Sequence, residues 1–118
     1  NNLPSIEQAK TTEKDSHSLY EIKGDIQSIS IMDNMKEFTN HQIQLLKNDR
    51  VYLFSDGYTD QFGGENGKKF MTSNFKNAIL DHQSLDIETQ GENLKVIFDE
   101  WKGQNEQVDD ICVLGLEI

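Results

Sequence analysis

Residues 51–57, Val-Tyr-Leu-Phe-Ser-Asp-Gly, join an uninterrupted apolar run to an acidic turn. Four apolar residues in a row predict a central strand that is covered on both faces. A second, largely apolar run over residues 111–116 directly follows the pair Asp109-Asp110. If the two strands are antiparallel neighbours, the end of the first and the start of the second lie at the same edge of the sheet. Asp56 and Asp109 are therefore predicted to converge there.

Two carboxylates at one sheet edge have two interpretations. Held close together they repel each other, and a divalent cation relieves that repulsion. Mg²⁺ and Mn²⁺ prefer such an all-oxygen environment, and Gly57 lets the backbone turn away so that Asp56 stays exposed at the strand tip. The alternative is purely structural, because Asp-Gly is a common turn and Asp109-Asp110 can simply open a strand. The residues alone leave both interpretations open.

Hydrophobic periodicity predicts strands, then two helices, then a strand. The predicted strands are runs at 19–22 and 29–31, a hairpin with arms at 42–45 and 51–54 that turns at Asn48, and a last strand at 111–116. Apolar stripes over residues 71–79 and 87–101 predict the helices. Their N-cap candidates are Thr72 or Ser73 for the first and Ser84 or Asp86 for the second.

This order of elements predicts an α+β fold. Its sheet is expected to be largely antiparallel, with two helices between the penultimate and last strands. Residues 1–16 show no helical or strand period, so we interpret them as a tail or a detached piece. Residues 17–118 are then the folded domain.

The charge balance is acidic, with 21 Asp and Glu residues against 11 Lys and Arg residues and a net charge of −10. Residues 79–118 hold ten of the acidic and two of the basic residues, which places −8 of that charge in one segment. Such a surface repels nucleic acid. No apolar run is long enough to cross a membrane, so we expect no membrane contact.

The single Cys112, between apolar neighbours, is predicted to be a buried strand residue, and the absence of a disulfide partner fits a cytoplasmic location.

Two ordered motifs resemble those of a known family. Residues 53–60, Leu-Phe-Ser-Asp-Gly-Tyr-Thr-Asp, closely resemble the (T/S)DG-x-(T/V)-(E/D) motif of the metal-dependent, protein phosphatase 2C-like serine/threonine phosphatases. The closest branch is the bacterial one named for sporulation stage II protein E. Residues 108–113, Val-Asp-Asp-Ile-Cys-Val, are similar to its second signature, a paired Asp that opens the last strand. Residues 62–64, 68–70 and 101–103 are also similar, and the resemblance covers about residues 19–118. By the same resemblance, the start of residues 1–16, at Asn1-Asn2-Leu3-Pro4, is the remnant of a preceding strand.

The resemblance implies an αββα sandwich of two sheets flanked by helices, of which this chain is the C-terminal half. It implies hydrolysis of phosphoserine or phosphothreonine on a bacterial signalling protein, by a water that two Mn²⁺ or Mg²⁺ ions activate. By the same resemblance, Asp56 and Asp109 bind metal, and Asp60 and Asp110 support the metal site without binding the ions. The implied partners are a phosphorylated regulatory protein and a sensor or regulatory domain upstream in the same chain.

The sequence also departs from the family. The family domain is longer than this chain, and its first half carries another Asp-based metal motif that is absent here. Ser28 and Ser30 stand where the family commonly shows Pro and Gly. Two carboxylates cannot complete a two-metal centre, so we expect the isolated chain to be inactive and to bind metal weakly. We also expect an uncovered sheet edge or apolar face that favours self-association.

Two other function classes remain open. The chain can be a non-catalytic, acidic protein-interaction module that retains the phosphatase fold but not its chemistry. The missing first-half motifs favour this alternative, and intact Asp-bearing motifs encoded upstream of Asn1 would favour the enzyme. A calcium-binding domain is the third candidate, and calorimetry that detects no Ca²⁺ uptake would eliminate it.

Overall fold

The computed structural model of the protein describes residues 9–118, which form three antiparallel strand pairs and three helices. The elements are β1 (Lys10–Lys14), β2 (His17–Glu21), β3 (Arg50–Phe54), α1 (Asp56–Thr59), β4 (Phe62–Gly63), β5 (Lys68–Lys69), α2 (Thr72–Asp81), α3 (Ile87–Lys102) and β6 (Val113–Glu117). Strand β1 pairs with β2, β3 with β6, and β4 with β5. The α+β class is confirmed, as is the placement of two helices between the penultimate and last strands.

The pairing of β3 with β6 confirms the predicted antiparallel neighbours. Phe54 lies opposite Val113, and Arg50 lies opposite Glu117 at the other end of the ladder. The Ser55 amide extends the ladder by donating to the Cys112 carbonyl at 2.9 Å. Strand β6 begins at Val113, two residues later than predicted, because the Cys112 amide donates to the Ser55 hydroxyl oxygen at 3.0 Å instead of to the backbone of β3.

An aromatic cluster forms the core beneath this strand pair. The Tyr58 ring lies 5.0 Å from Phe75, 5.1 Å from Phe98 and 5.3 Å from Phe70, measured between ring centroids. The Tyr58 hydroxyl donates to the Leu94 carbonyl at 2.6 Å, and burial raises the pKa of this phenol. The apolar stripes predicted for α2 and α3 supply this cluster, so α1, α2 and α3 are held against one another.

A polar network ties β3 to the two long helices. Arg50 donates to the Glu117 carboxylate at 2.6 Å and to the Leu85 carbonyl at 2.7 Å. The side chain of Gln90 is buried, accepts from the Tyr52 hydroxyl at 2.5 Å and donates to the Ile79 carbonyl at 3.0 Å. Because buried polar groups are costly unless they are paired, this network fixes the orientation of α3 against β3.

The sheet formed by β3 and β6 has one packed face and one exposed face. Tyr52 and Val113 pack on the core, whereas Leu53, Leu114 and Leu116 are 61%, 48% and 50% exposed. The prediction that both faces are covered is therefore wrong for residues 9–118, since no second layer lies over this face. The expectation of an uncovered apolar face is confirmed. Cys112, two residues before Leu114, shares the exposed face, so its predicted burial is also wrong.

Several predictions for the first half of the chain are wrong. Residues 22–49 contain neither the strand expected at 29–31 nor the hairpin arm expected at 42–45. Ile29 and Ile31 are almost fully exposed, so nothing in the described part of the chain packs on this run. Conversely, β1 forms where no period predicted a strand. Asn48 does adopt the expected positive φ, at 72°.

Residues 1–8 lie outside the part of the chain that the structure describes. Residues 1–8 belong to the segment interpreted as a tail or strand remnant, and that interpretation stays a prediction for them. Among residues 9–118, no helix combines the length and the apolar character that crossing a bilayer demands.

Asp86 caps the N-terminus of α3, and the stability that this cap contributes is expected to depend on pH. Its carboxylate accepts from the Thr89 amide at 2.9 Å and from the Thr89 hydroxyl at 2.7 Å, and these bonds hold the pKa of Asp86 below its ordinary value. The capping contribution is thus present above the pKa of an unfolded Asp and is lost as pH falls through the lower folded pKa.

In contrast, α2 begins after Met71 without a side-chain cap, so the predicted Thr72 or Ser73 cap is wrong.

We expect Asp86→Ala to unfold at lower urea concentration than wild type at neutral pH, and to lose less stability on acidification. Asp86→Asn is the matched control, because Asn also caps helices but does not titrate. It should retain the neutral-pH stability and lose the acid dependence that Asp86 contributes. Equal acid sensitivity in all three proteins would show that this carboxylate is not linked to folding.

Gly91 is an exposed glycine in the interior of α3, and a Cβ added there meets no atom within 4 Å. Glycine costs a helix interior about 0.5–1 kcal/mol relative to alanine. We therefore expect Gly91→Ala to raise the free energy of unfolding by about that amount, measured by urea denaturation. A loss of stability would mean that the helix backbone at Gly91 is not regular.

Candidate functional site

The acidic ends of β3 and β6 form one rim of the sheet. Ser55 connects them, because its hydroxyl donates to the Asp110 carbonyl at 3.1 Å and accepts from the Cys112 amide at 3.0 Å. Asp56 follows Ser55 directly, and Asp109 precedes Asp110. The structure thus brings the two predicted motifs to the same edge from positions 53 residues apart in the sequence. We call residues 55–57 together with 109–110 the acidic rim.

Gly57 permits the close approach of the two halves of the acidic rim. A Cβ at this position would clash with the Asp110 carbonyl oxygen and would lie 2.9 Å from its carbonyl carbon. The loop before β6 therefore lies directly against the first turn of α1. Any larger residue at 57 has to displace the backbone that carries Asp110.

The structure places Asp56 and Asp60 at opposite ends of α1. Asp56 is exposed as the first residue of this helix, and its carbonyl accepts the Asp60 amide at 2.8 Å. The Asp60 carboxylate pairs with the Lys69 ammonium at 3.2 Å. Asp60 is thus paired with a cation of the chain itself, and the supporting role that the resemblance implies for it stays a prediction.

Asp109 and Asp110 are both exposed in the loop before β6. The Asp109 carboxylate accepts the Asp110 amide at 2.8 Å, and the Asp109 carbonyl accepts the Gln107 side chain at 3.0 Å. These bonds define a local turn and leave the second carboxylate oxygen of Asp109 without a hydrogen bond among the described residues. The structural interpretation of this motif and the metal-binding interpretation are therefore compatible.

Gln61 positions the loop before β6, a role that sequence reasoning missed. Its side chain is fully buried and donates to the Glu106 carbonyl at 2.8 Å, three residues before Asp109. The backbone carbonyl of Gln61 accepts a hydrogen bond from the Trp101 indole N–H at 3.0 Å. The sequence shows only a Gln directly after the acidic motif, and no local pattern identifies its partner, which lies 45 residues away.

The donors at the acidic rim suit a hard divalent cation in type. They are exposed carboxylates, and Mg²⁺ commonly binds through one or two carboxylates while retaining water ligands. These carboxylates are too few to complete a metal site by themselves. The described residues contain no group of three or more acidic, His or Cys side chains arranged to hold a metal. The residues present therefore fit one part of a cation site.

Comparisons with known proteins agree with the two motifs. The solved SiaA-PP2C domain of Pseudomonas aeruginosa is similar, with a TM-score of 0.66 and 30% sequence identity. The match covers 70% of this chain and 34% of that structure, so the chain spans about a third of the domain it matches. A search of curated proteins gives no match. The family model for Stage II sporulation protein E (SpoIIE) matches residues 12–118, and the chain thus belongs to the SpoIIE family.

Proposed function

We propose that the intact protein is a metal-dependent phosphatase that hydrolyses phosphoserine or phosphothreonine on a bacterial regulatory protein. The family assignment and the similarity to a PP2C domain support a phosphatase domain. The observation that carries the proposal is the acidic rim, where the pairing of β3 with β6 brings Asp56 beside the Asp109-Asp110 turn.

Electrostatics explain why such a rim needs a cation to act on phosphate. The chain carries a net charge of −10, and the exposed carboxylates of the rim repel a phosphorylated side chain. Asp56 and Asp109 would hold Mn²⁺ or Mg²⁺ ions that, when bound, stabilise charge on the phosphoryl oxygens and activate a water. Phosphate binding and cation binding are therefore expected to depend on each other.

The residues around the rim have separate tasks in this proposal. Asp56 and Asp109 bind the cations. Ser55 fixes the distance between the two motifs through its hydrogen bonds to the Asp110 carbonyl and the Cys112 amide. Gln61 holds the Asp109 loop through the Glu106 carbonyl, so both positioning residues act on the geometry of the ligands and not on the substrate.

The test measures phosphate release by the full-length protein from a synthetic phosphoserine peptide, with a phosphotyrosine peptide of the same sequence as control. We expect release from the phosphoserine peptide with Mn²⁺ or Mg²⁺, and none after chelation by EDTA. Hydrolysis that persists in EDTA would contradict the metal dependence. A folded full-length protein without activity under any of these conditions would favour the non-catalytic interaction module.

A further inference from the structure

Within residues 9–118, Lys69 is the one basic residue that forms an ion pair with either acidic motif. Five ion pairs are present in this part of the chain, and the other four join residues outside 53–60 and 108–113. The acidic rim itself carries three carboxylates and no basic side chain. A phosphorylated substrate therefore meets a negative surface at which Lys69 supplies positive charge.

The Lys69 side chain reaches the face of α1 that carries Asp56. Its ammonium donates to the Asp60 carboxylate at 3.2 Å. Asp60 follows Asp56 by four residues with helical backbone angles, and its amide donates to the Asp56 carbonyl at 2.8 Å. Side chains four residues apart in a helix lie on one face, with their Cβ atoms about 5–6 Å apart. The Lys69 ammonium thus lies about one helical turn from the carboxylate that we propose as a cation ligand.

The hairpin of β4 and β5 presents Lys69 on a fixed backbone. Lys69 pairs with Phe62 across the two strands, and the Phe62 ring centroid lies 5.9 Å from the ammonium. Directly after β4, the Gly64 amide donates to the Trp101 carbonyl at 2.9 Å, which attaches the hairpin to α3. A side chain on an anchored strand is positioned more precisely than one on a free loop.

The ion pair between Lys69 and Asp60 is exposed enough to admit a second anion. Both side chains are 45% exposed, and surface ion pairs of this kind contribute little stability. A lysine ammonium has three donor hydrogens, so Lys69 can retain Asp60 with one and offer the others to a new partner. A phosphoryl group has three strong acceptor oxygens and more negative charge than a carboxylate, which makes it a suitable partner.

Lys68, the neighbour of Lys69, lies on the other face of the hairpin. It pairs across the strands with Gly63, and a Cβ at Gly63 would clash with the Trp101 backbone. Because residues opposite each other on paired strands share a face, Lys68 lies on the α3 side of the hairpin and Lys69 on the α1 side. Lys68 forms no ion pair among residues 9–118. The two lysines thus have the same charge and different surroundings.

We propose that Lys69 binds the phosphoryl group of the substrate, beside the cations that Asp56 and Asp109 would hold. Its ammonium donates to a phosphoryl oxygen and offsets part of the repulsion from the carboxylates of the acidic rim. The contact is present in the bound substrate as well as in the transition state, so it lowers KM and leaves kcat unchanged. This inference rests on the proposed function, to which it adds a substrate-binding residue.

The test compares Lys69→Gln with the wild-type full-length protein at saturating Mn²⁺, on a phosphoserine peptide without acidic side chains. We expect KM for the peptide and Ki for inorganic phosphate to rise at least about tenfold, as the loss of one hydrogen bond to a charged group predicts. The kcat and the Mn²⁺ concentration for half-maximal rate should stay within about twofold of wild type, since a uniform binding contact does not affect the chemical step.

Two further variants control for charge. Lys69→Arg keeps the positive charge and should recover most of the lost affinity for peptide and phosphate. Lys68→Gln removes one charge from the opposite face of the same hairpin, and its KM and Ki should equal those of wild type. Equal effects of Lys68→Gln and Lys69→Gln would overturn the proposal, because they would show a general effect of charge and not a contact.

Removal of Lys69 also leaves the Asp60 carboxylate without its partner, and a double variant separates this effect. Asp60→Asn serves as the reference, and Lys69→Gln is added to it. If Lys69 contacts the phosphoryl group, the added substitution should again raise KM and Ki. If it changes neither constant, repulsion by Asp60 explains the effect of the single variant and the proposal is wrong.

Calorimetry of inorganic phosphate with the Mg²⁺-loaded full-length protein provides a readout that does not need turnover. Absence of hydrolysis by wild type would contradict the proposed function alone, and weaker phosphate binding by Lys69→Gln would still support this inference. Equal phosphate affinity in the two proteins, or no phosphate binding by wild type, would overturn it. A lower kcat or a higher Mn²⁺ requirement at unchanged KM would also overturn it, because that pattern assigns Lys69 to the metal site.

Discussion

Substitution of Asp56 or Asp109 by Asn is expected to reduce the metal-dependent phosphatase rate of the full-length protein at least about 100-fold, because a cation that stabilises phosphoryl charge is worth several kcal/mol. Asn has nearly the shape of Asp but lacks the negative charge that attracts the cation. Both carboxylates lie on the acidic rim, so the two single variants should show similar losses. The measurement is phosphate release from the phosphoserine peptide at saturating Mn²⁺.

Two controls separate this effect from general disturbance. Glu100→Gln changes an exposed carboxylate on α3 outside the acidic rim, and it should leave the rate unchanged. Asp60→Asn removes the partner of Lys69, so its effect should be smaller than that of Asp56→Asn. Undiminished rates in both Asp56→Asn and Asp109→Asn would refute the proposed role of the acidic rim.

The second large effect is expected from Gly57→Ala. The added Cβ would lie 2.9 Å from the Asp110 carbonyl carbon and closer still to its oxygen, so backbone has to move. Overpacking of this kind costs about 1–3 kcal/mol of unfolding free energy. The displaced segment carries Asp109 and Asp110, and we therefore expect a loss of phosphatase activity in the full-length protein together with the loss of stability.

Gly24→Ala is the matched control for this substitution. Gly24 has no atom within 4 Å of an added Cβ, so the same chemical change should leave stability and activity near wild type. Urea denaturation measures the difference between the two variants. If Gly57→Ala is as stable as Gly24→Ala, the loop before β6 does not lie against α1 as described.

The pairing that forms the site was predictable because both strands carry strong signals. The apolar runs at 51–54 and 111–116 identify two strands, and the acidic residues at their ends define which edges meet. The helices were predictable for a similar reason, since their apolar stripes supply the aromatic cluster of the core. Long, strongly periodic segments are the most reliable signals in a single sequence.

The errors arise where structure depends on a partner distant in sequence. Alternation at 42–45 indicates a strand, but a strand also needs a neighbour, and β3 pairs with β6 instead. The burial of Cys112 was inferred from apolar neighbours, whereas burial requires a layer over its face of the sheet. Ser55 and Gln61 have partners 55 and 45 residues away, so local patterns cannot reveal their positioning roles.

The most direct test of the acidic rim is an Mn²⁺ titration of the chain followed by paramagnetic broadening of its amide NMR signals, which detects even weak binding. We predict that residues 55–60 and 108–112 broaden together at the lowest Mn²⁺ concentrations, and that Asp56→Asn abolishes the broadening of both segments. Two acidic residues of α3 outside the acidic rim, Glu88 and Glu92, serve as an internal control for nonspecific attraction. Broadening that begins at those glutamates, or that affects one rim segment without the other, would contradict a shared cation site.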